Sequence, residues 1–484
     1  MLYLGDIIRP KQKNIRTIGG FNMKYTANGV EEVKIAYVGG GSRGWAWGLM
    51  SDLVSCPDMS GEVRLYDIDH TAATNNEVIG NLFNNAEGAR SHWNYRATST
   101  LEEALNGADF VVISILPATF DEMESDVHTP EKYGIYQSVG DTSGPGGIIR
   151  ALRLLPMIEV IAKGIESNCP DAWVINYTNP MTMTVRMLYR VFPKIKAFGC
   201  CHEVFGTQKL LASMLADMCG IEGIAREEIK VGVTGVNHFT WLTYAKYKNI
   251  DLFPIYKEFA DRYYDTGYVK GKDENWMNNT FQCSHRVKFD LFRRFGLIAA
   301  AGDRHLAEFC EGSWYLSSPD AVRAWGFGLT PVSWRKRNLE ERLEKSRKRL
   351  NGEDIVISET GEDGVSQMRA LLGLDTLITN VNLPNVGQIP NLPLGAVVET
   401  NACFRANSAE PIVAGELPIN IYPLISRIVA SQELVVEAVI NRDLDMAFTA
   451  FANDPLVTVG LEDARRLFDE MVANTSKYLG MYNK

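Results

Sequence analysis

Residues 33–54 read VKIAYVGGGSRGWAWGLMSDLV. The run VKIAYV is rich in β-branched and aromatic residues and ends on glycine, which predicts a buried strand. GGGSRG then predicts a tight turn opening a helix. Gly39, Gly41 and Gly44 fit Gly-x-Gly-x-x-Gly, and Asp67 follows at the end of a second strand, VRLYDID (63–69). In this context the glycines let the backbone approach a pyrophosphate, and the helix N-terminus offers it N–H groups and positive dipole. Asp67 is placed to accept hydrogen bonds from the hydroxyls of an adenosine ribose. Its charge repels a 2′-phosphate, which favours NAD over NADP. The other reading of the same residues is a glycine turn that binds nothing.

Outward from this turn, strands alternate with helices. TSTLEEALNGADFVVISIL (98–116) carries a capping-box spacing from Thr100 to Glu103 and a third strand. GDTSGPGGIIRALRLLPMIEVIAKGI (140–165) is a glycine- and proline-rich loop running into a long helix. AWVINYTNP (172–180) and IKAFGCCHEV (195–204) are further strands. The alternation predicts an α/β fold, a Rossmann-type doubly wound parallel sheet, followed by a mixed α+β C-terminal domain. The expected divisions are an N-terminal extension over 1–30, a dinucleotide-binding domain over 31–205, and a substrate, metal and oligomerisation domain over 206–484. In the last part EIKVGVTGVNHFTWLTYAKY (228–247) predicts two strands about a loop at Asn237-His238. WRKRNLEERLEKSRKRL (334–350) predicts a helix with a solvated basic face, and 433–457 predicts closing helices.

Composition narrows the class. The 484 residues include 49 Lys+Arg and 59 Asp+Glu, a formal charge of −10, which argues against a nucleic-acid surface. No apolar run approaches the roughly 20 residues that span a bilayer, so no membrane partner is expected, and the first residues carry no signal-peptide pattern. The eight cysteines include no CxxC pair. Free thiols in a reducing, cytoplasmic compartment are expected.

Cys201 and His202 sit just past a predicted strand end, where open α/β sheets bind ligands, and His238 sits in a later loop. A thiolate and an imidazole can begin a metal site. On spacing alone each is equally at home as a packed or hydrogen-bonded residue, and the same holds for the other histidines.

Taken together, VGGGSRG (38–44), LYDID (65–69), the TNP turn (178–180), GCCHEVFG (199–206), GVNHF (235–239), AVVETN (396–401) and ANDPLV (452–457) resemble glycoside hydrolase family 4. These are NAD- and divalent-metal-dependent glycosidases with a fold similar to lactate and malate dehydrogenases. The form Cys-His-Glu-Val at 201–204 resembles the α-galacturonidase branch. The resemblance implies a small-molecule α-galacturonide substrate, with a neutral α-galactoside or an α-glucuronide as alternatives. It implies manganese or another divalent metal on Cys201 and His238, and a homodimer or homotetramer. The implied chemistry is oxidation at C3 by NAD, loss of the C2 proton, elimination at C1, addition of water and return of the hydride, an exception to the two-carboxylate mechanism. The resemblance makes Asp303, in AAAGDRH (299–305), the base, His202 the acid, and Asn179 a substrate contact. An arginine must pair a uronate carboxylate; Arg304, Arg150 and Arg286 are the candidates. Glu203 is expected to orient His202 or an arginine. Two other functions fit the fold alone: a 2-hydroxyacid dehydrogenase, whose Gly-His-Gly-like loop is not found in this sequence, and an NAD-binding regulator without turnover.

Overall fold

The computed structural model describes residues 23–271 and 279–482. Most of the extension expected over 1–30 therefore lies outside the described residues, but its end does not. Lys24–Thr26 (β1) folds back antiparallel on the start of Gly29–Val38 (β2), and Val30 is buried, so residues 24–26 and 29–30 belong to the sheet.

The further strands are β3 (Met59–Tyr66), β4 (Trp93–Ala97), β5 (Phe110–Ile113), β6 (Trp173–Asn176), β7 (Lys196–Gly199), β8 (Ile229–Val236), β9 (Phe239–Tyr247), β10 (Ile250–Asp251), β11 (Ile298–Ala299), β12 (Leu377–Pro384), β13 (Val397–Arg405) and β14 (Ser408–Pro411). Parallel pairing runs β4-β3-β2-β5-β6-β7. That is the 3-2-1-4-5-6 order of a Rossmann sheet, whose ligand crevice opens at the strand carboxyl ends where the order reverses.

The sheet does not stop with the first 205 residues. β12, β13 and β14, from the C-terminal half, join it antiparallel, with β12 meeting β7 at Asn382 and Gly199. A Cβ on Gly199 would lie 2.6 Å from Met181 Cγ and 3.0 Å from Asn382 Cβ, so only glycine lets this seam close. β8–β11 form a second sheet of four strands.

The strands are buried on both faces. Ile35 and Val112 pack toward the helix Trp45–Ser55, and Ala36 and Val111 pack toward the helix Gly144–Asn168. Thr100 caps its helix as its sequence predicts, accepting from Glu103 N at 3.1 Å. The helix Val332–Leu350 keeps the solvated face expected of it, with Arg337, Arg342, Lys345, Arg347 and Lys348 exposed, but two of its arginines turn inward. Arg349 is buried over the Trp47 ring at 4.5 Å from its centroid, and Arg335 stacks on Phe281 and Trp334. Guanidinium planes are weakly hydrated and stack on aromatic rings, which charge patterning does not reveal. No helix among the described residues is long and apolar enough to cross a membrane.

Candidate active site

The glycine turn has the geometry its sequence predicts. Gly39 has φ 97°, and a Cβ there would fall 2.0 Å from Ser114 O. Asn76 clamps the turn from below by donating to Gly40 O at 2.7 Å and Ser42 O at 3.0 Å, while accepting from Trp47 Nε1 at 2.8 Å. Asp67 Oδ2 accepts Gly41 N at 2.9 Å, and Oδ1 accepts Asp69 N at 2.9 Å. Gly44 precedes the helix Trp45–Ser55, with the Arg342 guanidinium over it donating to Arg43 O at 3.0 Å. Two hollows of about 410 and 260 Å³ flank this helix. The smaller is lined by Tyr37, Trp45, Tyr177 and Glu362 among others.

Beyond β6 and β7 lies a closed polar cluster. Asn179 precedes Pro180 across a cis peptide bond and donates from Nδ2 to Asp141 Oδ2 at 3.4 Å. Arg150 Nε donates to Asn179 O at 2.9 Å. His238 occupies the turn between β8 and β9 with φ 65°, a backbone conformation that a side chain this large rarely takes. Its Nδ1 lies 3.1 Å from Thr142 Oγ1, and that hydroxyl donates to Asp141 Oδ1 at 2.7 Å. With its only hydrogen given to Asp141, Thr142 must accept from His238 Nδ1–H. The tautomer is thereby fixed, and the Nε2 lone pair is left for a ligand.

Cys201 is buried with the side chain of Asn237, the residue preceding this histidine, on its thiol. Burial, then Glu399 and Glu203, push the Cys201 thiol well above its ordinary range. It ionises only if a cation takes it. Asn380 Nδ2 donates to Cys201 O at 3.2 Å and to Glu399 Oε1 at 2.7 Å, and Asn237 Nδ2 donates to Glu399 Oε2 at 3.3 Å. Burial pushes Glu399 up to about 7 against these bonds.

His202 stands at the solvent side of the cluster, half-exposed, with Nδ1 2.7 Å from Glu362 Oε1 and Trp45 stacked on it at 6.2 Å. The bond to Glu362 raises its pKa against the effect of burial. Glu203 neither orients His202 nor holds an arginine. It accepts Gly302 N at 2.8 Å and lies 3.6 Å from His305 Nε2. Burial alone would raise Glu203, but His305, His238, the Gly302 N–H and His202 hold it down at about 2.

Asp303 is tied to the cluster through its neighbours, Gly302 on Glu203 and His305 on His238. Its carboxylate is wholly buried under the N-terminus of the helix Arg286–Phe295, accepting Val287 N at 3.3 Å and Lys288 N at 3.2 Å. Burial raises it to about 6, against Lys288 and these N–H groups. Arg304 is committed to backbone, donating from Nε to Gly328 O at 3.1 Å and from Nη2 to Ser138 O at 2.6 Å. Arg286 donates to Tyr264 O and Ala324 O. Of the three candidate arginines, only Arg150 bonds Asn179.

The structure thus gathers Asn179, Cys201, His202 and His238 near one strand edge, with the glycine turn and Asp67 alongside, and places Asp303 two residues before His305 at the start of the helix Asp303–Glu308. Sequence reading missed Asp141, Thr142, His305 and Arg335. His305 packs on His238 with ring centroids 3.8 Å apart. Its signal was its place two residues after Asp303. Arg335 carries a buried Nε without a partner and acts on Asp141 alongside Arg150. Asp141 is held below the carboxylate range, burial being outweighed by Arg150, His238 and His305. Burial and His305 depress His238.

Comparison with known proteins fits this arrangement. The chain is 60% identical over 458 residues to an alpha-galacturonidase of Thermoanaerobacterium saccharolyticum, covering 94% of this chain and 98% of that protein. A crystal structure of a putative glucosidase from Bacillus subtilis superposes with TM-score 0.87 at 52% identity, covering 91% of this chain and all of that one. A 6-phospho-alpha-glucosidase from gut microorganisms, solved in complex with NAD and Mn2+, shares the fold with TM-score 0.76 at 20% identity over 92% of this chain and 99% of that one. The family 4 glycosyl hydrolase model matches residues 34–217 and the model of that family's C-terminal domain matches 233–457, so the chain belongs to the family 4 glycosyl hydrolases.

Proposed function

We propose that the protein is an α-galacturonidase that uses NAD and a divalent metal, manganese, to cleave its glycoside by oxidation, elimination, addition and reduction. The observation that supports this most is the convergence of Cys201, His238 and Asn179 beside a Rossmann glycine turn, in a chain 60% identical to an alpha-galacturonidase. The same convergence speaks against a hydroxyacid dehydrogenase or a regulator without turnover.

The residues present fit both groups. The Gly39–Gly44 turn and the helix it opens suit a pyrophosphate, and the Asp67 carboxylate retains lone pairs for ribose hydroxyls. Cys201 Sγ and His238 Nε2 would hold the metal. Asn179 Oδ1 and Asn237 Oδ1 are buried there without partners among the described residues, as acceptors awaiting a cation or substrate hydroxyls would be. When bound, NAD supplies a hydride acceptor and the metal polarises substrate oxygens.

The chain's own groups do the proton work. Asp303, with its pKa near 6, takes the C2 proton. His202, whose bond to Glu362 favours its protonated form, gives a proton to the glycosidic oxygen. Asn179 positions the substrate. Arg150, Arg335 and Arg304 make the surroundings of Asp141 net positive, as a uronate carboxylate requires. The unpaired cysteines favour a reducing, cytoplasmic compartment.

A panel of p-nitrophenyl α-glycosides with NAD, Mn2+ and a reductant tests this reading. Release from the galacturonide is expected. Release from the glucoside or galactoside alone would reject the substrate.

A further inference from the structure

Cys283, His285 and Asp303 bring a thiol sulfur, an imidazole nitrogen and a carboxylate oxygen within 4.8 Å of one another. This cluster shares no residue with the pair Cys201 and His238 and comes from a different stretch of chain. We propose that it is a second cation site, for a thiophilic divalent ion such as zinc, and that filling it silences the enzyme. The consequence for activity rests on the reading of Asp303 as base; the site itself does not.

The spacing is that of ligands around one ion. Tetrahedral zinc with Zn–S near 2.3 Å and Zn–N near 2.0–2.1 Å places its sulfur and nitrogen ligands about 3.6 Å apart. Cys283 Sγ lies 3.6 Å from His285 Nδ1. His285 holds φ 63°, which brings its ring back over Cys283 two residues before it. Asp303 is fixed from the other side by Val287 N and Lys288 N, so the third ligand is already oriented. The neighbouring Lys288 ammonium is drawn off to Thr207 Oγ1 at 2.9 Å, and the thiolate and carboxylate outweigh its charge. Three protein ligands leave a fourth position for water.

A thiolate–imidazole–carboxylate set selects zinc or cadmium over manganese, which prefers oxygen. Binding replaces the Cys283 S–H by an S–metal bond, and the proton leaves to solvent. Without an ion the thiol stays protonated, since burial and then Asp303 push it up to about 12. An ion on Asp303 occupies the lone pair that would take the C2 proton.

The test is a cadmium titration of the full-length chain, read by the near-ultraviolet thiolate-to-cadmium absorption. Cys201→Ser removes the thiolate of the first site. That variant is expected to keep one saturable equivalent of absorption, and adding Cys283→Ser is expected to abolish it. His285→Gln, alone in the Cys201→Ser background, is expected to weaken binding more than about tenfold while leaving a foldable thiol in place. No saturable band in Cys201→Ser, or a band untouched by both Cys283→Ser and His285→Gln, overturns the site. Zinc is then expected to inhibit wild-type turnover in excess Mn2+ and to spare Cys283→Ser. Cadmium binding without zinc inhibition would uphold the site and overturn its effect on turnover.

Discussion

Replacing Asp303 by Asn keeps the side chain's size and one acceptor for the N–H groups of the helix Arg286–Phe295 while removing its charge. Two effects are expected. Loss of a general base lowers turnover by about 10²- to 10⁴-fold, or roughly 3–5 kcal/mol of barrier. Stability changes with pH. The folded chain raises this carboxyl from 3.8 to about 6, chiefly by burial. A gap of that size means that ionising Asp303 costs the fold on the order of 3 kcal/mol. Because the folded value is the higher one, the cost is absent below pH 3.8, grows as pH rises toward 6, and is complete above it. Asp303→Asn leaves one of the two N–H groups without an acceptor, about 1–3 kcal/mol at every pH, so its stability relative to wild type is expected to improve by about 2 kcal/mol from pH 4.5 to pH 8. Urea unfolding at the two pH values gives the stability, p-nitrophenol release gives turnover, and NAD binding followed by tryptophan fluorescence shows that the cofactor site is intact. Wild-type turnover in the variant would remove Asp303 from the base role. A stability difference independent of pH, or one that worsens from pH 4.5 to pH 8, would refute the argument from burial.

Three other outcomes follow from the same structure. Asp126 and Arg153 form an ion pair with both side chains 1% exposed, so Asp126→Ala strands a buried guanidinium and is expected to cost about 3–5 kcal/mol in urea unfolding; a loss below about 1 kcal/mol would contradict this. Glu203→Ser removes the acceptor of Gly302 N, worth about 1.5–3 kcal/mol for a charged acceptor, and is expected to lower kcat at least about tenfold by loosening the Asp303 turn; a change confined to KM would show that Glu203 does not act through that turn. Burial raises Glu308 to about 8 and Glu399 to about 7, so both resist ionisation in the fold while their unfolded counterparts ionise near 4.5. Stability of the metal-free chain is expected to fall from about pH 4.5 and to level off above about pH 8, and a melting temperature that rises over that interval would contradict both assignments.

The dinucleotide turn was legible because its determinants are local: β-branched residues, three glycines and an acid lie within about forty residues and each answers to backbone sterics. The metal candidates were not fixed by spacing. Asn237, next to His238, reaches Cys201 because β8 packs on β13, and the residues that tune the thiol come from further away still. Glu399 reaches Cys201 through Asn380 and Asn237 only because β12 and β13 are added beyond β7, a long-range pairing that no periodicity announces. Glu203 was misread for a related reason. Its neighbours in sequence suggested His202, but a helix beginning at Glu203 turns its carboxylate toward Gly302. Charge patterning gave the helix at 334–350 a wet face, which five of its basic residues keep. Arg335 instead comes inward, where a guanidinium can stack on Phe281 and still act on Asp141.

The central claim is that the glycosidic bond breaks by elimination after a proton leaves C2. The measurement that tests it most directly is hydrolysis of p-nitrophenyl α-galacturonide in deuterium oxide with NAD and Mn2+, followed by NMR or mass spectrometry of the released sugar. Deuterium at C2 of the galacturonate is predicted, from solvent exchange at the base. Product carrying only hydrogen at that carbon would contradict the account.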